Sequence, residues 1–181
     1  MKKAFVFLTT GFEEIEALAT VDILRRGGVD VTTISLESSV TVVSSHNVQV
    51  VADKMFADVD FSVPDILILP GGTPRYNEHD GMKKQVLAFY EAGKEVAAIC
   101  ASPMVFGGLG ILKGRRATCY PGFEKYLEGA TLATSEAVVV DGNVTTGRGP
   151  GLTFDFALQV LETLEGKAKR DEVARGLLLL D

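Results

Sequence analysis

The sequence is sparing with the residues that most often carry cofactors or cross-links. Two cysteines and two histidines occur among 181 residues, and there is no tryptophan. Cys100 and Cys119 have neither CxxC spacing nor a histidine cluster beside them, which excludes a zinc site and a disulfide framework. No metal or other cofactor is therefore expected. Lys and Arg number 18 against 24 Asp and Glu, for a net charge of −6, and the basic residues are scattered. Without a basic stripe to follow phosphates, nucleic acid is excluded as an expected partner. No apolar run reaches the roughly 18 residues that a membrane helix needs, so no membrane partner and a cytoplasmic location are expected. Lys2 and Lys3 before Ala4 to Leu8 imitate the basic head of a signal peptide, but Gly11, Glu13 and Glu14 end the apolar run too early. That segment reads as a first buried strand. Neither GxGxxG nor GxxxxGK occurs, and there is no repeat, low-complexity tract or linker.

What is present is a 46% hydrophobic chain, long enough for one domain, residues 1–181, with a sheet covered on both faces. Ala4 to Leu8, Val31 to Leu36, Ile66 to Leu69 and Val96 to Ile99 are continuous apolar or β-branched runs, as central parallel strands should be. Helix-period segments lie between them, from about Glu13 to Arg26 and Met82 to Ala92, with further helices after Pro103 and Gly151. This alternation predicts an α/β fold with a mostly parallel central sheet. Val40 to Val43 with Gln49 to Val51 reads as a small side hairpin. Ala137 to Val140 with Val144 and Thr145, joined by Asp141-Gly142-Asn143, reads as another. The tail from Lys167 to Asp181 ends in Leu177 to Leu180, which should pack back on the domain or against a partner subunit.

Ligands of parallel sheets bind beyond the carboxyl ends of the strands, which directs attention to three loops. In the loop Cys100-Ala101-Ser102-Pro103, small residues pass from a buried strand straight into a helix, a sharp elbow of the kind that exposes nucleophiles. A helix N-terminus there would lower the pKa of Cys100. Read alone, Cys100 is either that reactive thiol or an ordinary buried small hydrophobe. Cys119, with no comparable turn, reads as structural. Around the first helix, Glu14, Asp22, Arg25 and Arg26 share one arc, whereas Glu16 falls beside Phe12 and Ile23. Glu16 is either a carboxyl with a raised pKa that can shuttle a proton, or a surface glutamate favoured by the helix dipole. Glu13 and Glu14 read as surface residues of the second kind. Gly71 and Gly72 after Pro70 permit a turn that aims N–H groups into a cleft, or a turn and nothing more. Arg148, in Gly147-Arg148-Gly149-Pro150-Gly151, stands near the same cleft as a candidate substrate-binding group, or belongs to ordinary loop punctuation. His46 and His79 adjoin Cys100 in neither case and read as surface histidines.

Gly11-Phe12-Glu13-Glu14-Ile15-Glu16, Pro70-Gly71-Gly72, Ala97-Ala98-Ile99-Cys100-Ala101-Ser102-Pro103 and Arg148-Gly149-Pro150-Gly151, in this order, resemble the ThiJ/PfpI superfamily. The nearest branch is that of the parkinsonism-associated protein deglycase. The resemblance implies a flavodoxin-like three-layer sandwich, usually a homodimer, with Cys100 as the reactive cysteine and a protonated Glu16 beside it. It also implies the backbones of Gly72 and Ala101 as oxyanion donors. In the peptidase-like branch a histidine follows the nucleophile, where this chain has Ala101, which argues against a peptidase. Tyr120 stands where some deglycase-branch members have a histidine, and a phenol of pKa near 10 is a poor base at neutral pH. His46 stands where relatives often carry an arginine near the subunit interface.

Three functions follow as expectations. The first is cofactor-free, glutathione-independent processing of small reactive carbonyls such as methylglyoxal, to lactate, through a hemithioacetal on Cys100 with Glu16 moving protons. The second is an oxidative-stress sensor or chaperone, in which Cys100 oxidises without turnover. The third is a cysteine hydrolase or amidotransferase, which needs a base that the sequence does not place.

Overall fold

A computed structural model describes residues 1–181. In chain order the strands and helices are β1 (Lys3–Leu8), α1 (Glu14–Arg26), β2 (Asp30–Ser35), β3 (Thr41–Val43), β4 (Gln49–Val51), β5 (Lys54–Met55), β6 (Ile66–Leu69), α2 (Asp80–Glu91), β7 (Glu95–Ile99), α3 (Pro103–Gly108), β8 (Arg116–Ala117), β9 (Thr131–Leu132), β10 (Val138–Asp141), β11 (Val144–Gly147), α4 (Thr153–Glu165) and α5 (Lys167–Gly176).

Seven strands form one sheet in the order β10-β11-β7-β6-β1-β2-β5. All neighbours are parallel except β10 on β11. The central strands are the continuous apolar runs, and Ile66 to Leu69 is buried at every position, as a strand covered on both faces requires. The chain leaves β1 toward β2 on one side and later adds β6 and β7 on the other. Right-handed crossovers then put α1 and α2 on opposite faces of the sheet. α4 packs beside α1, and α5 packs on α4. The result is a flavodoxin-like three-layer sandwich, as the sequence predicts.

Several local expectations are refined. β3 and β4 form the side hairpin. The second hairpin is not separate, because β11 pairs in register with β7 and carries β10 as the sheet's antiparallel edge. α2 begins at Asp80, two residues before the apolar period, because His79 Nδ1 accepts a hydrogen bond from Met82 N at 2.9 Å and caps the helix. The tail packs back through α5 and Leu177, which lies against the core, whereas Leu178 is 91% exposed and Leu179 and Leu180 are 47% and 43% exposed. No helix is long and apolar enough to cross a membrane.

The reversal of strand order on either side of β1 opens a crevice at the carboxyl ends of β1, β6 and β7. The loops that follow these strands are tied together there. Glu13 N donates to Gly71 O at 2.9 Å, and the Ser102 hydroxyl donates to Pro70 O.

Candidate active site

Cys100 stands where β7 gives way to α3, with φ of +66°. A left-handed conformation is costly for a residue with a Cβ, on the order of 1–3 kcal/mol, and persists only where its surroundings impose it. Here they do: Cys100 N donates to Gly147 O at 2.9 Å, and Cys100 O accepts from Tyr120 N at 2.8 Å. The strained turn aims the sulfur back into the crevice, although the residue is only 8% exposed.

Glu16 meets it from α1. Its side chain is fully buried, so the apolar-facing reading of the sequence holds and the surface reading does not. One carboxyl oxygen, Oε2, accepts from Gly71 N at 2.7 Å. The other, Oε1, is buried without a hydrogen-bond partner. Burial pushes Glu16 up to about 7, against the pull of the Gly71 N–H and the Cys100 thiol, and the charge of Glu13 adds to the rise.

The thiol is the larger surprise. Burial first, then the charge of Glu16 and a hydrogen bond with its carboxyl, push Cys100 up to about 12, while the Ala101 and Gly72 N–H groups pull it down. The expected lowering by a helix N-terminus is therefore corrected. α3 is only six residues long and its N-cap is Ser102, not Cys100, so little dipole reaches the sulfur. Two of the contributions raising the thiol require an ionised Glu16. Once Glu16 holds its proton that repulsion disappears, so the titrations of the two groups are coupled.

The glycines are steric requirements. A Cβ on Gly71 would stand 2.6 Å from Cys100 Cβ and 2.7 Å from Glu16 Oε2; on Gly72, whose φ is +95°, it would stand 2.4 Å from Glu13 N. Only glycine lets this loop lie so close to Cys100, Glu16 and the backbone before α1. The N–H groups of Gly72 and Ala101, which the family resemblance implies as oxyanion donors, both act on the sulfur.

Glu13 corrects the sequence reading. It is 8% exposed rather than a surface residue, and its Oε2 caps α1 by accepting from Glu16 N at 2.7 Å. Glu14 lies beside it, with His46 Nδ1 2.7 Å from its Oε1. Ligand atoms of Glu13, Glu14 and His46 lie within 4.8 Å of one another, but those donors are already committed to the α1 cap and to each other. His79 is used as a helix cap, and no histidine is among the groups that act on Cys100. Tyr76 is a contributor that the sequence did not reveal. Fully buried, it donates from its hydroxyl to Phe7 O at 3.0 Å and pins the segment after Gly72 to β1. Burial and the nearby charge of Glu16 hold its phenol well above the ordinary value. A lone tyrosine in a polar run gives no sign of this in sequence.

Arg148 flanks the site without touching the sulfur. Its backbone N donates to Ala137 O at 3.0 Å, and Gly147 is the register partner of Ile99, so Arg148 runs alongside Cys100. Beside the elbow lies a cavity of about 300 Å³ lined by Tyr120, Pro121 and residues 148–152. Tyr120, where a histidine was sought, is 46% exposed at its wall.

Comparison with known proteins shows the family. The profile of the DJ-1/PfpI family matches residues 2–163. The chain is 39% identical over 182 residues to protein DJ-1 homolog B of Arabidopsis thaliana, covering 98% of this chain but 42% of that one, so it spans under half the length of this relative. It is 38% identical to protein dj-1beta of Drosophila melanogaster, covering 98% and 97% of the two chains. It is 35% identical to a Caenorhabditis elegans protein named glutathione-independent glyoxalase DJR-1.2, covering 92% and 90%. The crystal structure of Drosophila melanogaster DJ-1beta superposes with a TM-score of 0.95 at 36% identity over 99% of each chain. That of oxidized Toxoplasma gondii DJ-1 does so with 0.95 at 32% identity over the full length of both.

Proposed function

Because this chain belongs to the DJ-1/PfpI family, we propose that it converts small α-oxo-aldehydes to 2-hydroxy acids, methylglyoxal to lactate, without a cofactor. The observation that carries this reading is the pairing of a thiol on a strained elbow with a buried carboxyl whose pKa is raised to about 7. The name of the Caenorhabditis elegans relative supports the same chemistry.

In the proposed sequence the Cys100 sulfur adds to the aldehyde carbon, and the new alkoxide takes a proton to give a hemithioacetal. Glu16, once ionised, removes the proton from that carbon and returns it to the neighbouring carbonyl carbon, while the hydroxyl proton of the hemithioacetal passes to the neighbouring oxygen, so that the ketone becomes an alcohol. The first carbon is oxidised to a thioester and the second is reduced, so no external oxidant enters. Water then releases the 2-hydroxy acid and restores the thiol. In this reading the Gly72 and Ala101 N–H groups, which act on the Cys100 sulfur, would also receive the charge that develops on oxygen. A glutathione-free assay of methylglyoxal conversion to lactate tests the reading. Wild type should turn over, with Cys100→Ser inactive and Glu16→Gln reduced by at least about a hundredfold. Turnover that survives Cys100→Ser would refute it.

A second reading is redox sensing, supported by the oxidized form of the Toxoplasma gondii neighbour. Hydrogen peroxide would convert the Cys100 thiol to a sulfenic acid with loss of water, and the same N–H groups would hold the added oxygen. Intact-mass measurement after mild peroxide decides it, because modification at Cys119 in place of Cys100 would rule the sensor out. We also propose a homodimer. Ile15 and Leu18 on α1 are exposed apolar residues, and the sedimentation of the purified chain reads its state directly.

A further inference from the structure

Arg148 is a cation without a partner. Its guanidinium takes part in none of the side-chain hydrogen bonds and none of the ion pairs of the molecule, whereas most arginines of the chain are paired, among them Arg25, Arg26, Arg115, Arg116 and Arg170. It is half-buried rather than free in solvent. The cavity of about 300 Å³ that it lines contains no acidic residue, and every other lining group is uncharged. In a chain with a net charge of −6, a pocket whose single charge is positive is a local exception.

Position gives the exception its meaning. Gly147 pairs in register with Ile99, so Arg148 and Cys100 are the next residues on two adjacent strands, whose backbones lie about 5 Å apart. Tyr120, on the cavity wall, holds Cys100 O through its own N–H. Arg148 nevertheless acts on neither the Cys100 sulfur nor the Glu16 carboxyl. Because Arg148 follows Gly147 beside Cys100 and lines the adjoining cavity, a molecule with its aldehyde at Cys100 can extend its far end toward Arg148.

We infer that the cavity between Tyr120 and Arg148 receives the carboxylate of an anionic α-oxo-aldehyde, and that Arg148 selects such substrates over neutral ones of equal size. A suitable compound is 4,5-dioxopentanoate, whose carboxylate stands two methylenes beyond the dicarbonyl and whose product would be 2-hydroxyglutarate. The chemistry is that proposed for methylglyoxal, on which this inference rests; the carboxylate takes no part in bond making. An arginine fork can hold it through two parallel hydrogen bonds, which a neutral ester forgoes.

The test compares kcat/KM for 4,5-dioxopentanoate and its methyl ester in wild type, Arg148→Lys and Arg148→Met. The wild-type ratio should favour the acid by about tenfold, Arg148→Lys should keep part of that preference, and Arg148→Met should bring the ratio near one. If both compounds are turned over and the ratio is the same in Arg148→Met, the inference is overturned and the carbonyl chemistry stands. If neither is turned over, the carbonyl reading fails, and a second measurement decides on the anion site. Rates of Cys100 modification by 3-maleimidopropionate and by N-ethylmaleimide, each normalised to free cysteine, give the same charge ratio without any carbonyl. A ratio lowered severalfold by Arg148→Met upholds the site, and an unchanged ratio rejects it.

Discussion

The molecule holds two free cysteines that burial alone does not distinguish. Cys100 and Cys119 are 8% and 4% exposed, and burial pushes both thiols up to about 12. Their surroundings differ in kind. At Cys119 the second contribution is the charge of Glu124, and no unusual backbone accompanies it. Cys100 combines a left-handed backbone, two N–H groups on the sulfur and a carboxyl whose charge acts on it. Burial is common to both thiols, and the coupled carboxyl and the two N–H groups are particular to Cys100.

The severest way to break this contrast is to remove the contact between the two side chains while leaving both in place. Gly71→Ala should do so, since the added Cβ would stand 2.6 Å from Cys100 Cβ and 2.7 Å from Glu16 Oε2. Backbone and helix must separate, at a cost of roughly 1–3 kcal/mol in stability. Turnover should fall by at least about a hundredfold, because sub-ångström placement of reacting groups governs rate. Near-normal turnover in a folded Gly71→Ala would show that Glu16 need not touch Cys100.

The pH dependence of alkylation sharpens the comparison next. With Glu16 near 7 and Cys100 near 12, the form holding one shared proton prevails between those values, and its thiolate tautomer is the reactive one. Iodoacetamide should therefore modify Cys100 at a rate that rises through about pH 7 and then levels off. Glu16→Gln should abolish the plateau. Cys119 should show no break near 7, and its rate should keep climbing with pH. Site-resolved mass spectrometry of the two peptides reads both curves in one experiment.

The same carboxyl should cost stability. Its pKa is raised from 4.5 to about 7, so the folded state binds the proton more tightly than the unfolded chain. The stability it contributes is full below pH 4.5 and is lost as pH rises through 7. At 1.36 kcal/mol per pKa unit, this amounts to roughly 3 kcal/mol above pH 8. Glu16→Gln, whose amide oxygen can still accept from Gly71 N, should raise stability by up to that amount at pH 8, with the gain shrinking to nothing near pH 4.5. Chemical denaturation at the two pH values measures it, and equal effects at both would remove Glu16 as the titrating group. A gain in stability joined to a loss of activity is the signature of a site that stores strain.

These contrasts also explain what could be read without a structure. The central strands were legible because burial on both faces leaves continuous apolar runs, and the elbow because small residues must link a strand to a helix. Glu16 separated from its charged neighbours by angle alone. Glu13 did not, because an acidic residue at a helix start looks the same whether it caps a buried turn or faces solvent. The direction of the thiol shift was misjudged because it depends on two lengths absent from the sequence, the six residues of α3 and the approach of Glu16 across the sheet. Tyr76 was invisible because its partner, Phe7 O, is a backbone atom 69 residues away. Local pattern records which face a residue takes, and it is silent on which distant carbonyl or carboxyl waits there.

The smallest expected effect belongs to Cys119, and it is the one that keeps the comparison fair. Its segment is held by backbone rather than by its thiol: Thr118 N donates to Thr146 Oγ1 at 3.0 Å, and Tyr120 N donates to Cys100 O at 2.8 Å. Cys119→Ala removes one buried sulfur and leaves both bonds in place. The loss should be about 1 kcal/mol, the transfer and cavity cost of one small apolar group. The Cys100 alkylation plateau and turnover should match wild type. If Cys119→Ala instead erased the plateau near pH 7, the proton that Cys100 shares would have to involve Cys119, and the assignment of the pair to Cys100 and Glu16 would be wrong.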